Sequence, residues 1–119
     1  MGGSVVDVAK DSYSVEVRHD FFENLPQIAD LALEAHLPAC YPFKETVMAG
    51  GLVSLGPDLL AMAGPAAAQI DKIIKGTSPA DIRVEQPTQY ELYINLKTAR
   101  LLNVTIPPTL LAAADEVIE

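Results

Sequence analysis

Tryptophan is absent from this chain, and cysteine occurs once, at Cys40. A single thiol forms no intramolecular disulfide, and no CxxC or Cys/His spacing offers a metal site. Bases are scarce, with 8 Lys and Arg against 16 Asp and Glu and a formal net charge of −8. Such a surface repels phosphate backbones and anionic headgroups. Nucleic acid is therefore excluded as a partner class, because that affinity comes from Lys and Arg contacts. No run of about 18 apolar residues occurs, so nothing reads as a membrane-spanning helix. The opening, MGGSVVDVAKDSYSVEV, has no basic stretch followed by an apolar one and does not read as a secretory signal. For an exported parent protein, the address would lie outside this chain. Repeats and low-complexity tracts are also lacking.

What is present is a core. Half of the 119 residues are hydrophobic, enough for one domain. Residues 1–19 match no clear pattern. Val5, Val6 and Val8 can start a strand, and the alternation of Tyr13, Val15 and Val17 predicts a half-buried strand over 13–18. Asn24 and Gln27 have capping-box spacing, Pro26 suits a first helical turn, and Leu25, Ile28, Leu31, Ala32 and Ala35 recur at helical spacing. That predicts a helix over 25–36, ended by Leu37-Pro38. Ala39-Cys40-Tyr41 reads as a strand apolar on both faces, as in the middle of a parallel sheet. Phe43 to Ala49 reads as a short helix stopped by Gly50-Gly51, and Leu52 to Leu55 as another short strand.

Gly56-Pro57-Asp58 reads as a turn with Asp58 as N-cap. Leu59, Leu60, Ala63, Ala66, Ala67, Ile70, Ile73 and Ile74 then form one helical stripe. Pro65 predicts a kink or restart within it. Asp71 and Lys75 have i,i+4 spacing, and Gly76 suits the position after a helix. Ile82 to Val84 reads as a short strand. After Gln86-Pro87-Thr88, Tyr90, Leu92 and Ile94 alternate as a strand with one buried face. Asn95 stands where an N-cap belongs, before a helix over 96–102. Thr105-Ile106-Pro107-Pro108 opens a further short helix, and Asp115-Glu116 reads as a solvated end. Short apolar strands alternating with helices predict an α/β layer structure with parallel strands.

Four words in order, LPQIADLALEAHLPACYPFKE, AGGLVSLG, AAAQIDKIIKGTSPADIRVEQPT and YELYINLKTARLLNVTIPPTLLAAADEVIE, resemble the C-terminal portion of ABC transporter substrate-binding proteins. The relevant members include tryptophan- and tyrosine-type solute receptors. The resemblance implies part of a two-lobed, periplasmic-binding-protein-like (type I) fold over residues 20–119, with lobe crossings near 55–57 and 84–90. It implies a small organic solute such as an amino acid as ligand, an ABC permease as partner of the intact parent, and a periplasmic or extracytoplasmic location. The first lobe and the start of the second are not represented. A helix over 58–75 shaped for that absent surface would leave its apolar stripe bare, which predicts homo-oligomers, with exchange of this helix as one route. Asn103 stands where relatives often have Gly and tolerates the left-handed backbone.

The same resemblance points to ligand-binding residues at strand ends. Asp20, Phe21 and Phe22 follow a predicted strand, where an acid can take an ammonium and a ring can stack. A solvated turn with one core Phe is the plainer reading. Phe43 and Glu45 follow the next strand, and Glu45 equally suits a helix dipole. Ser54 and Gly56 end the third strand and serve as ligand contacts or, preferably, as a hinge. Leu55 stands where relatives commonly carry an aromatic.

Catalytic chemistry finds no footing. His19 and His36 fall on different elements and read as surface residues. Cys40 reads as buried and inert. Ser12, Ser14 and Ser78 lack a nucleophile-elbow setting, and AGGL lacks the length and lysine of a phosphate loop. No cofactor is implied, and the reading is a binding protein and not an enzyme. The alternatives are a stand-alone sensory or regulatory α/β module and a truncated remnant that binds nothing.

Overall fold

The computed structural model describes two short N-terminal strands, β1 (Val5–Ala9) and β2 (Ser12–Val15), and then residues 23–119. β1 and β2 pair antiparallel, Val5 opposite Val15, with a register shift between Asp7 and Ala9. The alternating pattern thus yields a strand at 12–15, and the rest of the predicted 13–18 segment lies outside the described residues. So do His19 and the candidate ligand contacts Asp20, Phe21 and Phe22.

The remainder is one four-stranded sheet with helices. The order along the chain is α1 (Leu25–Glu34), β3 (Cys40–Tyr41), α2 (Lys44–Met48), β4 (Val53–Pro57), α3 (Ala63–Ile74), a 3-10 turn (Pro79–Asp81), β5 (Tyr90–Asn95), α4 (Leu96–Leu101), α5 (Pro108–Ala113) and β6 (Glu116–Ile118). In space the strands run β3-β4-β5-β6. β3 with β4 and β5 with β6 are parallel, whereas β4 and β5 are antiparallel. The expectation of parallel strands holds for two of these three pairs.

The core lies where α2 and α4 cover this sheet. Val47 and Ile94 are fully buried, and Leu25, Ala29, Tyr41, Leu52, Tyr93 and Ala99 join them. Each large apolar side chain so buried contributes roughly 1.5–3 kcal/mol. One polar junction sits inside. The Asn95 side chain accepts the Thr98 N–H at 3.1 Å, as an N-cap should, and donates to the Val47 carbonyl at 3.2 Å. Thr98 Oγ1 donates to the Gly50 carbonyl at 2.8 Å. The end of α2 and the turn between it and β4 are thereby tied to the start of α4.

Several local expectations need correction. The helix predicted over 25–36 ends at Glu34, with His36 in the left-handed region at φ 53°. Pro26 is in its first turn, but the Asn24 side chain makes no cap hydrogen bond, so the capping box does not form. β3 is the edge of the described sheet, and Cys40 is exposed there instead of buried, because only one face of that strand is covered. Gly56-Pro57 continues β4 and does not turn the chain. Asp58 caps the turn that follows, its Oδ1 accepting the N–H groups of Leu60 and Ala61 at 3.0 and 3.2 Å. The predicted restart comes at Ala63, which places Pro65 in the first turn of α3, where a missing N–H is harmless. Ile82 to Val84 is coil, with Val84 96% exposed, since no described strand pairs with it. β5 is not one-sided: Tyr93, Ile94 and Asn95 are all buried, flanked by β4 and β6. The chain end is a strand, opened by Asp115, whose carboxylate accepts the Leu92 N–H at 2.7 Å.

The apolar stripe behaves as its pattern implies. α3 buries none of its residues, and Ile70, Ile73 and Ile74 are 56%, 43% and 78% exposed. Asp71 and Lys75 pair at 2.7 Å on the same helix. Gly76 and Asn103 both adopt positive φ, the latter at 54°.

Candidate functional site

Parallel strands deliver their carboxyl ends to one edge of a sheet, and ligands bind outside that edge. β3 and β4 are such a pair. Beyond their ends lies a cavity of about 310 Å³. Its wall is built from Phe43, Lys44 and Glu45 after β3, from Gly56 to Leu60 at and beyond the end of β4, and from Pro42 and Glu91. Glu91 arrives from the start of β5, because the antiparallel register sets it opposite Gly56.

Gly56 is required by this geometry. A Cβ there would overlap the Pro42 carbonyl oxygen, so only glycine lets the two strand ends close together. Phe43 holds extended backbone as N-cap of α2, and Glu45 lies in that helix's first turn. The other part of the wall is the capped turn, which carries Leu59 and Leu60.

Electrostatics centre on Lys44. Its Nζ lies 3.0 Å from Glu91 Oε2, both side chains being partly covered. It also lies 5.5 Å from the Tyr93 ring centroid, within cation–π range. The hydrogen bond to Glu91 chiefly raises the lysine above its ordinary value. Three carboxylates, Glu45, Asp58 and Glu91, thus share the wall with one ammonium. Among the described residues no cluster of His, Cys, Asp and Glu could hold a metal ion. No described helix is long and apolar enough to cross a membrane.

The cavity brings together Phe43, Glu45 and Gly56 of the predicted contacts. Ser54 and Leu55 do not line it. Ser54 is fully buried, and its hydroxyl finds no hydrogen-bond partner among the described residues. Leu55 is 56% exposed. Sequence reasoning missed Pro42, Lys44 and Glu91, and assigned Leu59 and Leu60 to a helical stripe. Lys44 sits between two chosen residues, but Glu91 becomes visible only once the β4–β5 register is known.

A family model for ABC transporter substrate binding proteins matches residues 3–118. The chain belongs to this family. No curated protein matches it. Among solved structures, a conserved domain protein from Vibrio cholerae O1 biovar El Tor is 26% identical with a TM-score of 0.74, over 80% of this chain and 32% of that one. An ABC domain in complex with L-Trp from Streptococcus pneumoniae is 26% identical with a TM-score of 0.73, over 86% and 35%. A ligand-free, open substrate binding protein with adhesive properties from Clostridium difficile shares the fold at 19% identity and a TM-score of 0.54, over 81% and 32%. The fold is therefore part of a periplasmic-binding-protein-like domain, and the chain spans about a third of the structures it matches.

Proposed function

We propose that this chain is the solute-receiving portion of an ABC transporter's substrate-binding protein and takes a small organic solute, such as an amino acid, at the β3–β4 edge. The observation that carries the reading is the cavity itself, walled by α2's first turn and the β4 end in a chain of this family. That an S. pneumoniae relative holds L-Trp makes aromatic amino acids the first solutes to try. The work is binding and release, not catalysis, and belongs outside the cytoplasm beside a permease.

Lobe closure fits the same geometry. The chain leaves the sheet after β4 and re-enters at β5, and the two passages are laced together, with the Asp58 N–H donating to the Gln89 carbonyl at 3.0 Å. Such a paired ribbon, 55–58 against 89–92, at the crossings expected near 55–57 and 84–90, is a natural hinge between lobes. The bare Ile70, Ile73 and Ile74 ridge calls for cover, and in a solution of this chain a second copy, with or without exchange of the 58–75 helix, supplies it. Sedimentation that finds only monomer at high concentration removes that part.

One wall of a cleft binds weakly, so the test is a nuclear magnetic resonance titration of the chain with an amino-acid panel in the millimolar range. Expected are saturable shifts at the amides of 43–45 and 56–60 for at least one solute. No shift at those positions with any member of the panel refutes the reading.

A further inference from the structure

The cavity wall carries an opposed charge pair among apolar residues and two further carboxylates, Glu45 and Asp58. Lys44 and Glu91 meet at 3.0 Å, with side chains 29% and 24% exposed. They come from different elements, α2 and β5, and converge beside Pro42, Phe43, Leu59 and Leu60. A partly exposed pair of this kind contributes little to stability. Its position on a solute wall asks for another role.

Resting on the solute-receptor reading, we infer that Lys44 and Glu91 are specificity-determining residues that select a zwitterionic head group, Lys44 facing its carboxylate and Glu91 its ammonium. Within the wall each charge satisfies the other. A solute that brings both charges can replace both partners and leave none unmatched. A singly charged solute matches one side chain and leaves the other in a site that is losing water, which is costly. Selection is thus mostly by penalty against the wrong head group. Asp58 and Glu45 add negative charge to the wall, so a lone anion is disfavoured more than a lone cation. The apolar body of the solute rests on Phe43, Leu59 and Leu60.

The test uses three probes with one indole body: L-tryptophan, tryptamine and indole-3-propionate. Binding to the isotope-labelled chain is followed at the Lys44 side chain and the amides of 43–45. L-Tryptophan should bind about tenfold tighter or better than either analogue, with indole-3-propionate weakest. Lys44→Met should bring L-tryptophan down to the level of tryptamine while sparing tryptamine. Glu91→Gln should remove its advantage over indole-3-propionate. The reversed pair, Lys44→Glu with Glu91→Lys, preserves the ion pair, guards against loss of fold, and should keep the zwitterion preference. Equal binding of all three probes overturns the inference, as does a preference that survives both single variants. If no probe or other amino acid perturbs the cavity, the receptor reading itself falls.

Discussion

Asn95→Ala would cut both arms of the one buried polar junction that links α4 to the turn after α2. The residue is 6% exposed. Its acceptor arm caps α4 through the Thr98 N–H, and losing such a cap costs about 0.5–2 kcal/mol. Its donor arm meets the Val47 carbonyl, which also receives the Gly50 N–H at 3.1 Å. That carbonyl keeps one partner, so the second loss costs an ordinary hydrogen bond, about 0.5–1.5 kcal/mol. The total is about 1–3.5 kcal/mol. At an m-value near 2 kcal/mol/M, the urea midpoint should fall by about 0.5–1.8 M. The assay is urea unfolding followed by circular dichroism, at fixed protein concentration because association shifts apparent stability. Asn95→Ser keeps a short acceptor but loses the donor, and should fall between wild type and Ala. A midpoint for Ala within about 0.2 M of wild type would refute the assignment of this junction as a structural tie.

Gly56→Ala should deform the cavity, because the new Cβ overlaps the Pro42 carbonyl; weaker solute shifts at 43–45 together with a lower midpoint are expected, and an unchanged chain would contradict the close approach. Ile70→Ser with Ile74→Ser should leave the stability of the monomer within about 0.5 kcal/mol, as suits exposed positions, yet reduce self-association in sedimentation; unchanged association rules out the ridge as the contact. Stability should also fall in alkali. Burial raises Tyr41 above 10.0, so the phenol is neutral in both states below that pH, while above it the unfolded chain releases its proton first and unfolding is favoured. Lys44, raised above 10.5, acts in the same direction, its pairing contribution being intact below that value and lost as pH climbs through the folded one. Tyr41→Phe should flatten the alkaline limb of midpoint against pH, and an identical slope would count against it.

Much of the fold was legible because local rules and packing agree there. Asn95 is a cap by type and position, and it is a cap in space. Gly76 and Asn103 stop helices with the backbone their chemistry tolerates. The stripe through Ile70, Ile73 and Ile74 reads as apolar and exposed in one chain, which periodicity alone cannot distinguish from a buried stripe; the family's length supplied that part. Failures occur where partners decide. Cys40 has strand-core chemistry but lies on an edge strand. Ile82 to Val84 has strand composition but no described strand beside it. Glu116 to Ile118 is too short to announce itself, and becomes a strand because Asp115 binds the Leu92 amide and sets it alongside β5.

The site divides along the same line. Phe43 and Glu45 were reachable because they follow a strand directly, and a strand's carboxyl end is a local property. Gly56 was reachable as a small residue at another such end, although its reason, the approach of Pro42, is tertiary. Lys44 and Glu91 are 47 positions apart, and their meeting depends on β5 running antiparallel to β4 so that Glu91 falls opposite Gly56. Had β5 been parallel, as the alternating pattern suggested, its first residues would lie at the far edge of the sheet and Lys44 would face solvent. One strand direction, set by the return of the chain through 84–90, therefore converts a wall of three carboxylates and apolar groups into one with a cation at its centre. The charge presented at this edge is a consequence of topology before it is a consequence of composition.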